Sequence, residues 1–166
     1  KALSGVLSEK DLLLELETLE AVENARKKSN GLAYYIPNKH QLKAHQSEAR
    51  MVLVCGANRI GKSTLGAVEL AMHVTRKYPD WWSKRRRFYR PIKAIVVCDA
   101  MQKIEKVIEP KIMEFIPQGY VKDIGRITGG YLNRMELKDG STVDFLTSDQ
   151  DQMRFEGADW DFYWGA

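Results

Sequence analysis

Eight consecutive residues carry the most legible chemistry in this chain: Gly56, Ala57, Asn58, Arg59, Ile60, Gly61, Lys62 and Ser63 match GxxxxGK[ST] in full. Average composition produces such a match by chance in about one chain in two hundred of this length. Gly56 and Gly61 permit backbone angles that turn successive amides inward around an anion. Lys62 supplies the cation for the β and γ phosphates of a nucleoside triphosphate, and Ser63 offers a hydroxyl to Mg²⁺. Thr64 adds a contact to the α phosphate. The plainer reading of the same residues is a glycine turn that only starts a helix.

A phosphate loop needs a strand before it and a helix after it. Residues 51–55 form a brief apolar run of strand type. From Lys62 onward, Leu65, Val68, Ala71, Met72 and Thr75 fall on one side of a helix that ends before Pro79. Residues 94–98, rich in β-branched side chains, read as a buried parallel strand. Ile104, Val107, Ile108, Ile112 and Phe115 predict a helix interrupted at Pro110. Residues 131–137 and 141–146 flank Asp139-Gly140 as the two arms of a hairpin, and 161–166 read as a last strand. The pattern predicts an α/β fold, a P-loop NTPase sandwich with a mostly parallel central sheet, in a partial domain over 31–166.

Before that domain, residues 1–30 form an amino-terminal helical extension. Leu12, Leu16 and Leu19 recur at helical spacing over 8–28, and Ser8 with Asp11 suits a capping box. Packing on the main domain is the default expectation for this helix, and docking on a partner is the alternative. Pro37 and Asn38 open a second short helix over 41–48.

With 166 residues, 44% hydrophobic and 29% charged, the chain has the size and make-up of one globular domain. No run approaches the roughly 20 apolar residues that cross a bilayer, so no membrane partner is expected. Cys55 and Cys98 form no CxxC pair and read as buried, reduced thiols. His40, His45 and His73 lack metal-ligand spacing and predict no zinc. The chain begins at Lys1 rather than Met, which suggests a piece of something longer. Net charge is +4, with Lys84, Arg85, Arg86, Arg87 and Arg90 gathered around Phe88 and Tyr89. Cations interleaved with aromatics suit a nucleic-acid surface, and a solvated loop would read the same way.

Hydrolysis needs an acid at a strand end to hold magnesium and a group that orients water. Residues 95–98 run into Asp99, although Ala100 and not glutamate follows, whereas the last strand stops at Ala166 without an acid.

Pro37, Gln41 and the GxNRxGKS loop of Gly56, Asn58, Arg59, Gly61, Lys62 and Ser63 resemble the ATPase domain of the large terminase subunit of tailed bacteriophages. The segment TSDQDQMRFEGADWDFYWGA over 147–166 resembles the terminase stretch that leads into an Asp-Glu pair, so the likeness spans 34–166. It implies ATP and Mg²⁺ as cofactors and ATP hydrolysis coupled to moving double-stranded DNA into a capsid. The implied setting is the cytoplasm of the infected bacterial host, with the small terminase subunit and the portal or procapsid as partners and a homo-oligomeric ring. Gln41 would read adenine, and Tyr35 or Pro37 would pack on the base. Arg59 would sense the γ phosphate or stabilise transferred charge. Arg154 would reach a neighbouring subunit's nucleotide, a local salt bridge being the equal alternative, while Phe155 and Gly157 would serve packing and turn.

The resemblance also implies that the chain stops just before the magnesium acid and the catalytic glutamate, and lacks a nuclease domain. Asp99 is then a residue near the site, and this chain binds nucleotide but hydrolyses it weakly. Two other classes share the loop. A small-molecule or nucleoside kinase would use 84–90 as an arginine lid, and a binding module would have no catalysis.

Overall fold

The computed structural model describes residues 9–57, 59–82, 87–149 and 159–166. Its five strands are β1 (Lys93–Cys98), β2 (Val121–Arg126), β3 (Leu132–Leu137), β4 (Thr142–Thr147) and β5 (Phe162–Gly165), in the spatial order β2-β3-β4-β1-β5. β1 pairs in parallel with β4 on one side and β5 on the other. β2 with β3, and β3 with β4, are antiparallel. The fold is therefore α/β with a mixed sheet rather than the mostly parallel one expected. The cause is the short connections between β2, β3 and β4, which join only antiparallel neighbours, whereas parallel neighbours need a long crossover. The expected hairpin around Asp139-Gly140 forms, with Gly140 at φ +89° and the Asp139 carboxylate accepting the Ser141 N–H at 2.9 Å.

β1 is the centre of the core because its β-branched run is covered on both faces. Ala94, Val96 and Cys98 join the main cluster, and Ile95 and Val97 join a smaller one with Leu146 and Trp160. The main cluster is closed by α3 (Lys62–Thr75), in which Leu65 and 67–75 are all buried. Gly66 lies against the Trp164 indole, and the His73 ring centroid is 5.1 Å from that of Phe162. A helix whose start meets the end of β5 and whose end meets the start of β5 runs antiparallel to it. The amino terminus of α3 therefore stands at the carboxyl ends of the parallel strands.

α2 (Lys39–His45) is started by the Asn38 and Gln41 capping box and is shorter than expected. Ahead of it, a 3₁₀ turn (Gly31–Tyr34) lies against α5 (Glu109–Phe115). α4 (Met101–Lys103) leads through a π-helical segment (Ile104–Ile108) into α5. Pro110 does not interrupt this helix. The helical run passes through it, and the wider π turns of 104–108 immediately before it make room for a ring without an N–H.

Three expectations are corrected. Residues 51–55 form no strand: Met51 and Leu53 are each 86% exposed, and no strand of the sheet pairs with them. An apolar run becomes a strand only when a neighbour takes its backbone groups, and β5 and β2 end the sheet without it. α1 (Glu9–Ser29) does not pack on the domain, since Leu12, Leu13, Leu14, Leu16, Leu19 and Val22 are all exposed. Leu13 and Leu14 spread the apolar surface around the helix, with Glu15, Glu20 and Glu23 between, so no single face seats. Ser8, half of the expected capping box, lies outside the described residues. Cys55 is exposed and only Cys98 is buried; both are free thiols.

A Cβ on Gly31 would lie 2.2 Å from the Glu114 carbonyl oxygen. Gly31→Ala is therefore expected to lower stability by about 1–3 kcal/mol, read as a lower urea midpoint with unchanged slope. Burial raises the Asp144 carboxyl above its ordinary range, and Arg134 only partly offsets this. A carboxyl raised on folding costs nothing when protonated in both states; the destabilisation sets in as pH rises through the unfolded value and is complete above the folded one. Asp144→Asn should thus raise the melting temperature at neutral pH, and the gain should vanish near about pH 3.

Candidate functional site

The residues of the glycine loop converge on the start of α3. Gly61, at φ 88° and ψ 25°, occupies the cap position of α3 in the left-handed region that glycine tolerates. Arg59 shares the sign, at φ 68°, and is exposed with Ile60. The chain turns back tightly here, and a Cβ on Gly56 would come within 2.2 Å of the Ile60 side chain. Lys62 folds over the loop, its Nζ donating to the Gly56 carbonyl at 2.7 Å and the Ala57 carbonyl at 2.8 Å. Ser63 and Thr64 occupy the first turn of α3, half-buried. Asn58 lies outside the described residues.

Gln41 joins this group from α2. Its Nε2 donates to the Gly61 carbonyl at 3.1 Å, while its Oε1 accepts the Asn38 N–H at 3.0 Å. One side chain thus caps α2 and holds the residue that starts α3. Tyr35 stands at the other end of α2, half-buried, its hydroxyl 3.0 Å from His45 Nε2 and its ring against Trp81 and Phe115.

The carboxyl ends of β1 and β5 complete the neighbourhood. Asp99 follows β1 and faces Lys103, whose Nζ is 3.2 Å from its carboxylate and donates to the Ala166 carbonyl at 3.1 Å. The lysine's hydrogen bond holds the Asp99 carboxyl below its ordinary range. Chemically, the assembly offers a helix amino terminus, a lysine, a hydroxyl in the first turn and a glycine-formed bend, which together suit a polyphosphate. No group of histidine, cysteine or acidic residues among the described residues is arranged to hold a metal ion.

The basic aromatic segment stands apart from the loop. Phe88 and Tyr89 lie with Arg76, Tyr78 and Arg87 around a cavity of about 280 Å³, beyond the opposite end of α3. Arg87 sits 5.4 Å from the Tyr78 ring centroid, and Arg76 pairs with Asp139 at 2.9 Å. Arg90 makes a two-pronged pair with Asp161, at 3.1 and 2.5 Å. Lys84, Arg85, Arg86, Arg154, Phe155 and Gly157 lie outside the described residues.

Two features escaped the sequence reading. Trp164 covers Gly66, and Glu69 lies buried between His45 and His73. The second had a signal: Glu69 and His73 are four apart in a helix whose other facing residues are apolar. No protein-family model matches the chain, and no curated protein matches it.

The two thiols differ in reach. Burial pushes the Cys98 thiol up to about 11, so at neutral pH it is both covered and un-ionised. Iodoacetamide is expected to label Cys55 in the native protein and Cys98 only after unfolding, as mass spectrometry of digested protein would read.

Proposed function

We propose that this chain is the ATP-binding part of a viral DNA-packaging motor, an ATPase that couples hydrolysis to translocation of double-stranded DNA into a capsid. The observation that carries the reading is the GxxxxGKS loop capped by a left-handed Gly61, at the head of a fourteen-residue helix that runs antiparallel to β5. Ligands of open α/β sheets bind beyond the carboxyl ends of the strands, where this loop lies. The finer architecture in the proposal is the P-loop sandwich.

In the proposed mechanism the triphosphate replaces the Gly56 and Ala57 carbonyls as the partner of Lys62. The swap is favourable because a charge-assisted hydrogen bond to phosphate exceeds one to a neutral carbonyl. Gly56, Ala57, Asn58, Ile60 and Gly61 shape the cradle, Ser63 takes magnesium and Thr64 the α phosphate. Gln41 and Tyr35 serve the base, and Arg59 and Arg154 stabilise charge on the transferred phosphate. Loss of the γ phosphate then changes the contacts of the loop, and a bistable element passes that change to DNA. The proposed setting is the cytoplasm of an infected bacterium, with the small terminase subunit and the portal as partners and a homo-oligomeric ring as the working form. No described helix is long and apolar enough to cross a membrane.

Calorimetric titration with magnesium ATP tests the reading. The chain should bind, and Lys62→Ala should weaken binding by about tenfold to a hundredfold, the worth of one charged hydrogen bond. Equal affinity in the two proteins would overturn the proposal. Turnover by this chain is expected to be slow, because Ala100 and not a glutamate follows Asp99 at the end of β1. Stimulation of what turnover there is by double-stranded DNA, with no phosphate transfer to nucleosides, separates the motor from a kinase.

A further inference from the structure

A buried polar chain crosses the molecule beneath the phosphate loop. Tyr35 Oη lies 3.0 Å from His45 Nε2, and His45 Nδ1 lies 2.7 Å from Glu69 Oε1. On the other side His73 Nε2 is 3.6 Å from Glu69 Oε2, and His73 Nδ1 is 3.0 Å from Tyr78 Oη. The Phe88 N–H donates to that same hydroxyl at 3.0 Å. His45 is 0% exposed, Glu69 7% and His73 3%. Trp82, fully buried, has its ring centroid 5.6 Å from both imidazole centroids, tilted to His45 and edge-on to His73.

A carboxylate only accepts, so in the 2.7 Å contact with Glu69 the donor is His45 Nδ1, and the Tyr35 hydroxyl meets the other ring nitrogen. His73 Nε2 stands 3.6 Å from the carboxylate, beyond hydrogen-bond distance, while its Nδ1 meets the Tyr78 hydroxyl, whose oxygen accepts the Phe88 N–H. Burial and then the Glu69 charge push the Tyr35 phenol far up, which keeps it a donor. Although His, Glu and His are metal-ligand types, no described group is arranged to hold an ion.

This chain fixes one helix on another. His45 is the last residue of α2, Glu69 lies in the middle of α3, and Gln41 in the first turn of α2 holds the carbonyl of Gly61. α2 is only seven residues long, too short to hold a direction by itself. Its two side-chain ties to α3 and its cap, Gln41 to Gly61 and His45 to Glu69, stand one helical turn apart and set its angle. We propose that Glu69, acting through His45 and Gln41, is a positioning residue that preorganises Gly61 and the phosphate loop to receive a polyphosphate. The inference rests on the triphosphate-binding reading and adds to it a residue that no part of the glycine motif contains.

Inorganic tripolyphosphate with magnesium is the probe, because it engages the loop without a base. Glu69→Gln and Gln41→Ala should each weaken its binding about tenfold, and the double variant should also lose about tenfold, because both ties act through the angle of α2 and losing either one frees it. A double variant that loses about a hundredfold would mean independent structural effects, and an unchanged Glu69→Gln affinity would mean no role; either result overturns the proposal. Should Glu69→Gln lose its cooperative melt, His45→Asn and His45→Phe decide. Asparagine keeps a donor near the Nδ1 position and should retain affinity, whereas phenylalanine should lose it; equal losses overturn the proposal. A wild-type chain that binds neither tripolyphosphate nor ATP removes the phosphate-loop reading itself, and is recognised before any variant is made.

Discussion

The seating of α3 along β5 is the contact on which the loop end of the molecule depends. Gly66 has no side chain, so the Trp164 indole closes on the helix backbone, and His73 meets Phe162 two strand residues earlier. Those two points give the helix its direction as well as its depth. Because α3 is buried from Leu65 onward, it cannot slide or roll without opening the core. Its amino terminus is then delivered to the carboxyl edge of the sheet, and Gly61 and Lys62 with it.

A helix that deeply buried would ordinarily be apolar throughout, yet Glu69 lies at its centre. An isolated carboxylate in such surroundings would be strongly disfavoured, and here the His45 imidazole meets it at 2.7 Å while the His73 ring stands 3.6 Å from its other oxygen. Each imidazole is in turn oriented by a tyrosine. The result is a polar cross-member inside an apolar shell, and its parts come from four places in the chain: Tyr35, the end of α2, the body of α3 and Tyr78. Such a network specifies one arrangement of those elements, since any other leaves a buried charge or donor unsatisfied.

Around this rigid centre the surface is less constrained. α1 projects with its leucines exposed and its first two-thirds acidic, and the segment before the glycine loop lies open with Met51 and Leu53 in solvent. At the far end of α3 Arg76 pairs with Asp139, and Arg90, from the basic run, pairs with Asp161. Each pair joins segments distant in sequence, which local charge counting cannot reveal.

Local chemistry was legible in the sequence wherever a pattern is short-ranged. The helix from Lys62, the hairpin at Asp139-Gly140, the buried strand through Val96 and the last strand all follow from periodicity and turn residues acting over a few positions. So does the left-handed cap at Gly61, since glycine is the residue that adopts it without strain. Tertiary structure alone decided what those elements meet. Residues 51–55 have the composition of a strand, but pairing is a property of neighbours, and the sheet provides none for them. The leucines of α1 mark an apolar helix without saying whether a matching face exists. Glu69 and the two histidines are ordinary polar residues in a string of letters; only folding, by excluding water from all three at once, makes them obligatory partners.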